Sequence, residues 1–160
     1  EGAVQTLEEL KREGKIRFIG CSSILPNIID HIEMGVFDVL QVPYSALQPE
    51  HETAIAAAAE AGMGIVIRGA IARGAPGEVG GPAEVWDLWQ KANMGELAQG
   101  MTATEFLLRF NISRPDVHTT IVGTLEPEHL EENVGAVLKG PLPHSLYEEA
   151  KQRLAAARSF

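Results

Sequence analysis

Apolar positions along the chain alternate between helical spacing and short unbroken runs. Val4, Leu7 and Leu10 recur every three residues, so Val4 to Gly14 is predicted to be an amphipathic helix that Gly14 stops. Glu8 stands three and four residues before Lys11 and Arg12, the spacing of helical charge pairs. Ile16 to Cys21 (IRFIGC) follows as a short β-rich run closed by Ser22-Ser23. Pro26 opens a second helix, with Ile28, Ile29, Ile32 and Met34 as its buried stripe and Gly35 as its end.

The rhythm then repeats. Phe37 to Val42 is a second strand, ending at Pro43-Tyr44-Ser45, and Pro49 to Ala61 is an alanine-rich helix terminated by Gly62. Ile65 to Ile67 is a third strand that leads into a glycine-dense stretch. Within it, Gly74 to Pro82 is expected to be a mobile insertion rather than a domain boundary. Pro82 to Ala92 and Thr102 to Ile112 read as helices, with Thr102 and Glu105 spaced as a capping box. His118 to Val122 is a fourth strand ending in Gly123-Thr124, and Pro127 to Leu138 and His144 to Ala157 close the chain as helices. Four strands, each leading into a helix, define an α/β fold with a parallel sheet and right-handed crossovers.

Every strand places small or polar residues at its C-terminal end: Ser22-Ser23, Gln41 with Tyr44-Ser45, Arg68-Gly69 and Gly123-Thr124. In parallel α/β architectures that edge gathers ligands, although turns alone also favour these residue types. In the segment Arg68-Gly69-Ala70-Ile71-Ala72-Arg73-Gly74, small residues would let backbone approach a ligand and two arginines would pair with phosphate. It is neither a Walker motif nor a G-x-G-x-x-G fingerprint. Gly123-Thr124 precedes a helix whose dipole favours an anion, but Glu126, Glu128, Glu131 and Glu132 oppose that field or simply cap and solvate the helix.

Composition narrows the classes. With 45% hydrophobic and 22% charged residues over 160 positions, the chain has a globular balance, and its net charge of −9 disfavours nucleic acid and anionic membranes as partners. No apolar run approaches the length of a membrane span, and the opening residues are acidic and polar, so a soluble cytoplasmic protein without a signal peptide is the expectation. The chain opens on Glu1 rather than Met, as a numbering that starts inside a longer gene product would. Its length falls short of the roughly 250 residues of a complete (β/α)8 barrel. One cysteine, Cys21, and histidines scattered at 31, 51, 118, 129 and 144 give no expected metal site, and Cys21 reads as a small buried thiol. Tyr44 is a candidate to point into a site but lacks a cation partner, since Lys15 lies at the other end of the sheet. Trp86 and Trp89, three apart, read as core.

Four segments together resemble the aldo-keto reductases: E-L-K-R-E-G-K-I-R-F-I-G-C-S-S, F-D-V-L-Q-V-P-Y-S, G-I-V-I-R-G-A-I-A-R-G and T-I-V-G-T-L-E-P-E-H-L-E-E-N-V. The resemblance implies a half TIM barrel over residues 1–160: a parallel half-barrel of four βα units with an extra C-terminal helix, aligned with strands five to eight of the family's barrel. It also implies a groove for NADP(H) or NAD(H). By position, Ser22, Ser23 and Gln41 would hold the nicotinamide carboxamide, with Ser23 in place of the usual asparagine. Arg68 falls where an aromatic residue commonly stacks on the ring, and Gly69, Ala70, Ile71, Ala72, Arg73 and Gly74 would cover the pyrophosphate as a mobile belt. Gly123 and Thr124 fall where a 2′-phosphate is gripped, and Glu132 and Asn133 would meet adenine. His129 and Gly123 stand where many members carry arginine and lysine, which leaves the choice between NADP and NAD open. The family's tyrosine, lysine, aspartate and histidine belong to the N-terminal half, so no catalytic residue is assigned in this chain.

Three expectations follow from that resemblance. One is an oxidoreductase-family half-barrel that keeps the cofactor groove and hides its open edges in a homodimer or higher oligomer. Another is a fragment whose missing N-terminal half completes an ordinary carbonyl reductase. The third is a non-catalytic binding module.

Overall fold

The spacing of Val4, Leu7 and Leu10 produces α1 (Gly2–Arg12) in the computed structural model, which describes residues 2–74 and 83–159. Gly14 adopts φ +75°, and the Leu10 carbonyl accepts the amides of Lys15 and Ile16, so the helix ends where its glycine reverses the backbone. No residue of α1 is buried, and the expected Glu8 pairs do not form. Lys11 reaches instead to Asp38, 2.7 Å away, which also accepts the Ile19 amide at 2.7 Å. That fixed carboxylate outcompetes a mobile neighbour on the same helix, where a pair contributes only a few tenths of a kcal/mol.

Among the described residues, β1 (Gly20–Ser22), β2 (Val39–Pro43), β3 (Gly64–Arg68) and β4 (Thr119–Thr120) form one parallel sheet in the order β1-β2-β3-β4. The crossovers are α2 (Asn27–Glu33), α3 (Glu52–Glu60) and a longer connection through α4 (Ala83–Lys91), α5 (Met94–Leu97) and α6 (Ala103–Ile112). After β4 come α7 (Pro127–Leu138) and α8 (His144–Arg158). This is the expected α/β half-barrel of four parallel strands. Residues 75–82, most of the predicted Gly74 to Pro82 insertion, lie outside the described residues.

Two strands are shorter than their apolar runs. Phe18 is 62% exposed, and the ladder to β2 starts only at Gly20, where a Cβ would stand 3.3 Å from Val39. At the other margin β4 is two residues long, although His118 and Ile121 also donate amides to Ile65 and Ile67 of β3. Along β2 and β3, burial alternates. Leu40, Val42, Ile65 and Ile67 are fully buried under the helices, whereas Val39, Gln41, Val66 and Arg68 on the other face are only half-buried. A parallel sheet covered on both sides shows no such alternation, so one face of this sheet stands open.

The covered face holds the core. Ile55 and Ala58 of α3, Phe106, Leu107 and Phe110 of α6, and Leu154 of α8 belong with Leu40, Val42, Ile65 and Ile67 to one buried apolar cluster. Trp86 and Trp89 join them as expected, with centroids 5.9 Å apart and Phe106 edge-on to Trp89 at 5.6 Å. Thr102 caps α6 by accepting the Glu105 amide at 3.1 Å. The capping box closes on that side only, because Arg109 and Lys139 occupy the Glu105 carboxylate. The predicted α2 stripe holds in part: Ile28 is buried and Ile32 half-buried against the core, while Ile29 and Met34 are exposed, because no strand pairs with the outer edge of β1 among the described residues.

Candidate functional site

The C-terminal ends of the strands define the candidate site. β1 and β2 run in register so that Ser22 lies beside Gln41, and the Ser23 amide continues the ladder to the Gln41 carbonyl at 3.1 Å. Ser22, Ser23 and Gln41 are thereby neighbours along two adjacent strands. Ser22 is exposed and Gln41 half-buried, whereas Ser23 is 8% exposed, with its hydroxyl 2.9 Å from Nδ1 of His31 on α2. Two residues on, the Leu25 amide donates to Nε2 of His51, 3.2 Å away at the N-cap of α3. An amide can only donate, so the ring proton of neutral His51 sits on Nδ1, which is buried without a partner among the described residues.

One strand further, Arg68 ends β3 opposite Pro43 of β2. Its side chain is half-buried, and its Nε has no hydrogen-bond partner among the described residues. The chain then turns through Gly69 at φ +69° and three consecutive left-handed residues, Ala72, Arg73 and Gly74. The small residues of this turn do not present an open floor to a ligand. Ala70 and Ala72 are 1% exposed and packed in the core, and Nδ2 of Asn111 on α6 grips the Ala70 carbonyl at 3.2 Å. Ile71 is half-buried and Arg73 exposed. The predicted belt, Gly69 to Gly74, is thus tied to α6 through the Ala70 carbonyl.

The fourth strand end stands apart in character. Gly123 and Thr124 are exposed, and Thr124 Oγ1 accepts the Glu126 amide at 3.1 Å. His129 and Glu132 on α7 are exposed as well. Asn133 is not with them: it is buried and lines a cavity of about 240 Å³ with Leu108, Thr120, Val122, Val134 and Val137.

The same order of elements is found in known proteins. Residues 1–154 match the Aldo/keto reductase family. The chain belongs to that family. It is 28% identical to the uncharacterized oxidoreductase YqkF of Bacillus subtilis, with 83% of this chain and 48% of that protein aligned. It is 25% identical to L-galactose dehydrogenase of Arabidopsis thaliana, covering 84% of this chain and 46% of that protein. The holo form of the aldo-keto reductase AKR11C1 from Bacillus halodurans superposes with a TM-score of 0.75 at 27% identity, over 96% of this chain and 54% of that one. This aldo/keto reductase chain therefore spans about half the length of the relatives it matches.

Tyr44 is buried at the end of β2 rather than presented to solvent. It is 2% exposed, burial and the nearby Glu52 push its phenol well above the ordinary tyrosine range, and the Arg114 guanidinium lies over its ring at 5.2 Å. The other tyrosine, Tyr147 on α8, is buried against Phe110 and pushed up to about 12, mainly by burial. Burial also raises the Cys21 thiol above its ordinary range, and the residue is half-buried. Among the described residues no cluster of three metal-ligating side chains occurs. The sequence pattern left His31 and His51 as isolated histidines. Their meeting at one loop depends on α2 and α3 packing side by side, which no linear spacing reveals.

Proposed function

We propose that this chain is the cofactor-holding half of an aldo/keto reductase-type oxidoreductase, a single domain corresponding to the C-terminal half of the family's barrel. The observation that carries this reading is the register of Ser22 beside Gln41, with the Ser23 amide bound to the Gln41 carbonyl. A primary carboxamide offers one acceptor and two donors, and two hydroxyls with one amide side chain can satisfy both kinds. When bound, a nicotinamide dinucleotide supplies or accepts a hydride. The chain's own part is to orient the carboxamide through Ser22, Ser23 and Gln41 and to flank the ring with the planar guanidinium of Arg68. Arg73 and the backbone of Gly69 to Gly74 would meet the pyrophosphate.

The adenosine end fits a 2′-phosphate poorly. Gly123, Thr124 and His129 bring no permanent cation, and Glu126, Glu128, Glu131 and Glu132 surround them. NADH is therefore expected to bind about as well as NADPH. Both tyrosines being buried, the purified chain is expected to reduce carbonyl substrates at most weakly on its own. Fluorescence titration with NADPH and NADH tests the groove, and absence of any change up to millimolar cofactor rejects it. Robust NAD(P)H-dependent carbonyl reduction by the 160-residue chain alone would overturn the division of labour.

A second reading is favoured by the length of the relatives: the chain is one half of a carbonyl reductase whose N-terminal half completes the barrel. The uncovered sheet margins support a covering partner in either case, another copy of this chain or that half. Light scattering on the purified chain, with and without NADPH, reports which. A dimer or higher oligomer supports self-coverage, and a monomer that associates only with a supplied N-terminal half supports the second reading.

A further inference from the structure

We propose that His31 is a positioning residue that sets the hydroxyl of Ser23 for a carboxamide ligand, an inference that rests on the groove reading above. A serine hydroxyl carries one proton and two lone pairs, and its rotor is free unless a neighbour fixes it. Ser23 is 8% exposed, so its hydroxyl has little water to compete for, and it has two neighbours. The Ile24 carbonyl lies at 3.5 Å and accepts the hydroxyl proton weakly, while Nδ1 of His31 lies at 2.9 Å. With its proton on Nδ1, His31 donates to Ser23 Oγ and leaves the hydroxyl proton for an incoming carbonyl oxygen in place of the long contact to Ile24. The imidazole is itself fixed, edge-on to Phe37 with centroids 5.6 Å apart. The loop it acts on is anchored from the other side by the Leu25 amide on His51. Two helices thus hold Ser23 to Leu25 by imidazoles, and His31 is the one that touches a side chain of the proposed carboxamide site.

The test compares NADPH with 2′-phospho-ADP-ribose, which lacks the nicotinamide, on the purified chain by calorimetry. His31→Ala is expected to weaken NADPH about tenfold, the effect of losing one hydrogen bond, and to leave 2′-phospho-ADP-ribose unchanged. His31→Asn, whose amide nitrogen reaches Ser23 as a donor, is expected to restore most of that affinity. His31→Asp, which only accepts and captures the hydroxyl proton, is expected not to. Ser23→Ala combined with His31→Ala is expected to lose no more than Ser23→Ala alone. Equal weakening of both ligands, or rescue by Asp as good as by Asn, overturns the positioning role while leaving the groove standing. Wild-type chain that binds neither ligand removes the groove reading and this inference with it.

Discussion

The inner strands and the outer strands of this sheet are built to different standards. β2 and β3 are five residues long, paired on both sides, and bury Leu40, Val42, Ile65 and Ile67 completely. β1 has three residues and β4 two, and the helices beside them, α2 and α7, bury one and two residues respectively. Every exposed large hydrophobic among the described residues lies either between 18 and 34 or between 121 and 138. Exposed apolar surface is ordinary when scattered, but here it follows the two unpaired edges. The centre is a finished core, and the margins are surfaces still to be covered. That difference separates residues that hold the fold from apolar residues that this chain leaves exposed.

The comparison is broken most severely by a cavity in the centre. Phe106 is fully buried, edge-on to Trp89, and Phe106→Ala is expected to cost about 3–5 kcal/mol in urea unfolding. Leu125→Ser at the margin, where the side chain is 97% exposed, is expected to change stability by less than about 0.5 kcal/mol. A large loss from the marginal substitution in a monomer would erase the distinction between the regions.

The margin sharpens it through association rather than stability. Leu130, Val134 and Leu138 lie on one exposed stretch of α7 beside the two-residue edge β4. Leu125→Asp with Leu130→Asp, both exposed and outside the Asn133 cavity, is expected to abolish self-association in light scattering while leaving the urea midpoint nearly unchanged. If oligomers persist, the contact lies elsewhere, with the β1 and α2 margin the next to test.

How much of this was legible in the sequence follows the same division. The central elements were readable because burial on one face writes itself into the chain: α3, α6 and β3 appear close to where their periodicity puts them. At the margins the pattern misleads. Ile29 and Met34 look like a core stripe, and Ile16 to Phe18 like strand, because apolar residues at an unpaired edge follow the same spacing as residues of the core. Ser22, Ser23 and Gln41 were legible as strand-end polar residues. His31 and His51 were not, since their contacts cross between units. Tyr44 was legible only as a strand-end phenol without a cation partner, and nothing in its position foretold the Arg114 guanidinium that arrives from beyond α6 to lie over its ring.

A smaller effect tests how the centre and margin are joined. α6 belongs to the core yet is also packed against α7, and Glu105 and Arg109 tie it to Lys139 and the Gly140 carbonyl just after α7. Removing its cap with Thr102→Ala is expected to cost about 1 kcal/mol. If α6 transmits order to the margin, hydrogen exchange quickens in both α6 and α7. Exchange that quickens in α6 alone would show that the margin is held independently.

The smallest effect concerns the other margin and is a matter of pH. Burial holds the His51 imidazole below the ordinary histidine range, Glu50 partly offsets this, and Arg68 adds to it. The folded state therefore favours neutral His51, whose Nε2 accepts the Leu25 amide. An unfolded chain takes up the proton at about pH 6.5, before the folded one does. The stabilisation is accordingly complete above that pH and is lost as pH falls through the lower folded value. His51→Gln, which places an amide oxygen near the same acceptor position but does not titrate, is expected to flatten the decline of the urea midpoint between pH 7.5 and 5. The change should be small because one half-buried group is involved, and it should appear in the exchange of the Leu25 amide before it appears in α3. If the wild-type decline is unchanged by this substitution, the loop at the end of β1 is held by the sheet itself and not by the histidine behind it.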